Sequence, residues 1–122
     1  MKTAGAFWAL VAPLTCVVVI SIGQLLFKLA SGSLDIRRPW TEPRALAILA
    51  VALILYAAAT LLWVAALRHA PLSRLYPLMA ISFVLVPLGG WLIFREPVSG
   101  PYWAGIGLIL AGLAVIGRAP AA

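Results

Sequence analysis

Four apolar stretches follow one another along this chain almost without pause, and each comes close to the length of a bilayer crossing. A helix needs about 20 mostly apolar residues to cross the hydrocarbon core. The spans expected on that basis are about 7–29, 45–67, 72–94 and 101–117. Between the first two lies SLDIRRPWTEP, the most polar segment; the later connections, around Arg68–Pro71 and Arg95–Gly100, are short. Of the 122 residues 65% are hydrophobic and only 10% charged, more apolar surface than a soluble domain of this size could hide. The expectation is an all-α membrane protein, residues 1–122 forming one four-helix transmembrane domain. Lys2 precedes an apolar run, but that run continues to Leu29, past the usual core of a signal peptide, so it reads as a retained span.

The charges support this placement. A net charge of +6 could suggest nucleic acid, but the basic residues are scattered at span ends rather than clustered on a polar face. They suit anchoring against anionic headgroups. Lys2, Arg68, Arg74 and Arg118 fall on one side of the membrane; Lys28, Arg37, Arg38, Arg44 and Arg95 fall on the other. So even a distribution gives almost no orientation bias. Two copies inserted in opposite directions could then pair as an inverted repeat. In the fourth span Ala104, Gly107, Ala111 and Ala114 form a stripe of small residues, suited to close helix packing within or between subunits.

The stretch Arg68–Pro97 is expected to form the working helix. It carries Arg74 and Tyr76-Pro77 near its start and is interrupted by Pro87 and Gly89-Gly90. Interrupted helices at membrane depth are tolerated where protein covers them or a cavity lies beside them. Pro77 and Pro87 each remove a helical hydrogen bond. Arg74 stands in a first helical turn, where the macrodipole disfavours a cation and a bound anion would relieve the conflict. Lys28, near the end of the first span, reads either as a side chain snorkelling to the headgroups or as a cation awaiting an anionic group. Arg74 has the same two readings. Tyr56 and Tyr76 either line a cavity or bridge helices; Trp63 and Trp91 read as interfacial belt residues.

Some chemistry is missing. Asp35, Glu42 and Glu96 lie in loops or at span ends, so no span holds a carboxylate of the kind that proton-coupled export of cationic drugs requires. The embedded charges are positive and point to a negatively charged cargo. No nucleophile–base pair, glycine-rich phosphate loop or metal cluster stands in the sequence, which argues against an enzyme, a cofactor or a metal. His69 has no metal-ligand companions, and Cys16, the single cysteine, reads as a small residue facing lipid or helix.

The segments SIGQLLFKLAS, ALRHAPLSRLYPLMAISFVLVPLGGWLIFREPVS and YWAGIGLILAGLAVIG resemble four-helix members of the drug/metabolite transporter superfamily, EamA-like or small multidrug resistance-like. The similarity is greatest to the small subunits of the undecaprenyl-phosphate-aminoarabinose flippase. They share the GQ…K pattern of Gly23, Gln24 and Lys28, the P…YP…S pattern of Pro71, Tyr76, Pro77 and Ser82, and EPVS at Glu96–Ser99. The resemblance implies a multi-pass protein of the bacterial inner membrane and an antiparallel homodimer or a heterodimer with a similar subunit. It also implies a polyprenyl-phosphate-linked sugar or similar anionic lipid as cargo, moved between leaflets. Gln24 and Ser82 join Lys28, Arg74, Tyr56 and Tyr76 as expected substrate-binding residues, the phosphate resting on Lys28 and Arg74. Tyr56 and Tyr76 match cavity tyrosines of the small multidrug exporters, whereas Ile20 stands where those exporters carry their membrane glutamate. Two other functions remain open: a multidrug-type exporter, and a non-transporting assembly subunit of a membrane glycosyltransferase complex.

Overall fold

The computed structural model describes residues 2–120. Its four apolar helices, each long enough to cross a membrane, are α1 (Thr3–Ser31), α2 (Pro43–Leu67), α3 (Leu72–Ile93) and α4 (Gly100–Arg118). There is no strand among the described residues. Four such helices fit the expected all-α membrane class, and α1 starts before residue 7.

The proline positions explain the irregular turns. Pro13 cannot donate a helical hydrogen bond, and its ring crowds the carbonyl four residues back. Ahead of it α1 widens into a π-turn over Phe7–Val11, with the Ala12 N–H donating to the Phe7 carbonyl. The wide turn carries Trp8, which stacks on His69 of the α2–α3 connection at 4.4 Å between ring centres and 6° between planes. Pro77 also interrupts α3, here with the opposite change in pitch. Only Leu72–Leu75 is α-helical before the chain tightens into a 3-10 stretch, Tyr76–Ile81, and resumes at Ser82–Ile93 around Pro87. Six residues is long for a 3-10 stretch, and a tightened segment inside a span often marks a hinge or strain.

The tightest packing is between α1 and α2. The buried residues of α2 are Ala45, Ala52, Ala59 and Ala66, each seven positions from the next. A seven-residue repeat keeps one face of a helix against a partner under a slight left-handed supercoil. Alanine there lets the two backbones approach closely. Opposite them α1 buries Ala12, Cys16, Gly23 and Ala30, and the Cys16 thiol donates to the Ala59 carbonyl at 3.3 Å. The single cysteine thus faces helix, not lipid. At the π-turn end a core of Ala12, Ala66 and Leu75 is walled by Trp8, Leu62 and Trp63. Trp63 therefore helps pack the bundle, where the sequence suggested a belt residue.

Beyond this pair the packing thins. α3 leans on α1 through Gly89, where a methyl group would stand 2.7 Å from a Leu25 methyl. α4 rests mainly on the 3-10 stretch of α3 and buries only Ile106. Ser99 caps α4 by accepting from the Tyr102 N–H at 3.4 Å. Between α3 and α4 the chain turns through Arg95, whose φ of 54° lies in the left-handed region that favours glycine. Arg95→Gly is expected to stabilise the protein by about 1 kcal/mol by removing that steric cost. Thermal unfolding in detergent checks it; a lowered midpoint would show that the arginine side chain contributes more than the backbone loses.

Candidate functional site

The helices run antiparallel in sequence, so the last turn of α1 and the end of α3 lie at the same end of the bundle. There Lys28 Nζ lies 3.4 Å from Glu96 Oε1, the ion pair found among the described residues. The two side chains are 57% and 49% exposed. Held in water, such a pair contributes only about 0–1 kcal/mol. Its interest lies in its position, since both charges remain open to a ligand.

Local backbone features set this geometry. The left-handed turn at Arg95 folds the chain back so that the Glu96 N–H donates to the Gly90 carbonyl at 3.2 Å. The carboxylate then lies over Gly90, where a Cβ would stand 2.9 Å from Oε2. A larger residue at position 90 would push the half-exposed carboxylate aside.

One helical turn before Lys28, Gln24 donates from its amide nitrogen to the Tyr56 hydroxyl of α2. Phe27 stacks on the Tyr56 ring at 5.3 Å. Gly23 makes room for the ring, because a Cβ there would stand 2.5 Å from its Cε2. Gln24 and Lys28 are four residues apart and share a helix face. An amide, a phenol, an ammonium and a carboxylate thus line one end of the bundle. Beside them an open cleft of about 600 Å³ runs between α3 and α4, bordered by Pro87, Glu96, Val98, Ser99 and Tyr102. That size is in the range of small-molecule sites.

The remaining expected residues lie elsewhere. Arg74 is exposed in the first turn of α3, at the opposite end from Lys28. At about 1.5 Å per residue, the length of α3 separates them by roughly 30 Å. Within one chain a single phosphate cannot touch both at once, contrary to the sequence expectation. Tyr76 is 64% exposed at the start of the 3-10 stretch, away from Tyr56. The Ser82 hydroxyl donates to the Met79 carbonyl at 2.6 Å, within its own helix. Of the expected set, the structure gathers Gln24, Lys28 and Tyr56. Sequence reasoning did not give Glu96 a role, although span alternation puts it on the same membrane side as Lys28.

Four apolar helices with a charged pair at one end define a multi-pass membrane protein. The chain belongs to the EamA-like transporter family, whose model matches residues 2–118. Among its relatives is a protein of Klebsiella pneumoniae (strain 342), named probable 4-amino-4-deoxy-L-arabinose-phosphoundecaprenol flippase subunit ArnE. It is 37% identical over 84% of this chain and 93% of its own length. The protein of the same name from Hamiltonella defensa subsp. Acyrthosiphon pisum (strain 5AT) is 35% identical over 79% of this chain and 84% of its own. That of Salmonella paratyphi B is 38% identical over 58% and 64%. No solved structure matches the chain.

Proposed function

We propose that the chain is a single-domain, four-helix flippase subunit of the bacterial inner membrane, moving a polyprenyl-phosphate-linked sugar or similar anionic lipid between leaflets. The carrying observation is the half-exposed Lys28, framed by Gln24 and Tyr56 at the end of an apolar bundle. Membership of a transporter family and the names of the relatives support the same reading. The phosphate engages Lys28 while the polyprenyl tail stays in lipid, an arrangement that needs no bond to be broken. Arg74, at the other end, is the second station, which the phosphate meets in the opposite leaflet. Tyr76 and Ser82 lie on the broken helix between the two stations. A cation at each end suits a carrier that must receive and release the same headgroup.

A partner is part of the proposal, either a second copy or a similar four-helix subunit. In α3 and α4 only 6% of the apolar window is buried, against 33% in α1, so one chain leaves the path open to lipid on one side. Ala104, Gly107, Ala111 and Ala114 of α4 are all uncovered or nearly so, and a Cβ at Gly107 would meet nothing within 4 Å. Packing inside the subunit therefore does not explain the stripe, and we assign it to the antiparallel partner. Gly107→Leu and Ala111→Leu are expected to weaken association severalfold, while Ile116→Ala, on the opposite face of α4, does not. Crosslinking in bilayers reads this out; equal association of all three with the parent removes α4 from the interface.

Mass spectrometry of lipid that co-purifies with the chain tests the function. A polyprenyl-phosphate-linked sugar is the expected species. Protection against quaternary ammonium compounds, with no such lipid bound, would instead make the protein a drug exporter. A glycosyltransferase at equal stoichiometry, without lipid, would make it an assembly subunit.

A further inference from the structure

We propose that Glu96 is the specificity-determining residue of this site, selecting headgroups that carry an ammonium beside their phosphate over those with an uncharged sugar. The inference rests on the proposed function and adds to it a reason for a carboxylate where an anion is to bind. Glu96 Oε1 is 3.4 Å from Lys28 Nζ, so a phosphate reaching Lys28 comes within a few ångströms of a negative charge. At half exposure that repulsion is only partly screened. A purely anionic lipid therefore has to displace the carboxylate and leaves it without its cation.

A zwitterionic headgroup avoids the conflict. Its phosphate takes Lys28 and its ammonium takes Glu96, so each half of the resting ion pair exchanges one partner for another. The carboxylate is placed for this. It lies over Gly90 after the turn at Arg95, and it borders the 600 Å³ cleft, where a sugar ring has room beside Ser99 and Tyr102. Discrimination arises because the neutral sugar leaves the displaced carboxylate unpaired, which is how specificity against a near-identical ligand is built.

The test compares two lipids on the full chain with its partner in nanodiscs: an undecaprenyl-phosphate-linked amino sugar, and the same lipid with a hydroxyl replacing the amine. The parent is expected to bind the amine tenfold or more tightly, the effect of one charge-assisted contact. Glu96→Gln should bring the ratio close to one, lowering affinity for the amine and raising it for the hydroxyl lipid. Glu96→Asp, which keeps the charge, should retain part of the preference. A parent that binds both lipids equally, or a Glu96→Gln variant that keeps the parent's ratio, overturns the inference while leaving the transport proposal standing. Failure of the parent to bind either lipid overturns the transport proposal itself.

Discussion

Ala59→Leu is expected to lower stability by about 3 kcal/mol or more, with Ala52→Leu close behind. Both residues sit in the alanine seam of α2, at 3% and 0% exposure. Overpacking a filled core costs about 1–3 kcal/mol. Here there is additional cause, because the Cys16 side chain already lies against the α2 backbone, its thiol bonded to the Ala59 carbonyl. Leucine would drive α1 and α2 apart along their length and shift Tyr56 and Gln24 with them. Ala58→Leu, on the exposed face of the same helix, is the control and should be nearly neutral. Unfolding in detergent with increasing denaturant measures all three. Equal midpoints for Ala59→Leu and Ala58→Leu would show that the seam does not hold the bundle.

The second large effect concerns binding. Lys28→Gln should weaken binding of a polyprenyl phosphate by ten- to a hundredfold, since a charge-assisted contact contributes about 1.5–3 kcal/mol. Expression and folding should survive, because the ion pair it breaks is half exposed and contributes little in itself. With the partner kept as the parent, Arg74→Gln should not weaken binding at the Lys28 end of the same chain, because roughly 30 Å separates the two within it. It should slow passage to the other leaflet. Arg74→Lys keeps the charge but loses the bidentate geometry, and an intermediate rate is expected. Lipid titration in nanodiscs, with undecaprenol as the uncharged comparison, separates these results. If Lys28→Gln binds the phosphorylated lipid as the parent does, the phosphate is held elsewhere, and the exposed Arg37-Arg38 loop is the next place to look.

The contrast between the alanine seam and the α4 stripe shows what the sequence made readable. The four-helix membrane class followed from hydropathy, which depends on the solvent more than on any contact. The seven-residue spacing of Ala45, Ala52, Ala59 and Ala66 was equally present, but hydropathy treats alanine as merely apolar and hides its role as a spacer. The α4 stripe stood out because it contains glycine, yet it is the face that packs on nothing within the subunit. At the site, Lys28 was evident as a charge in an apolar run. Its partner was not, since Glu96 acquires its position from a left-handed turn at a non-glycine residue, which local propensity does not foresee. The separation of Lys28 from Arg74 was readable from span alternation alone. Joining them on one phosphate within a single chain ignored that count.

Translocation is the central claim, and a leaflet-resolved assay tests it most directly. The chain, with the partner proposed above, is reconstituted in vesicles containing a fluorescent polyprenyl-phosphate-linked sugar, and a membrane-impermeant quencher is added outside. The account predicts that the protected fraction in the inner leaflet becomes accessible within the assay, and that Lys28→Gln abolishes most of that gain. An inner-leaflet fraction that stays protected with the parent protein, under conditions where the lipid is shown to bind, would contradict it.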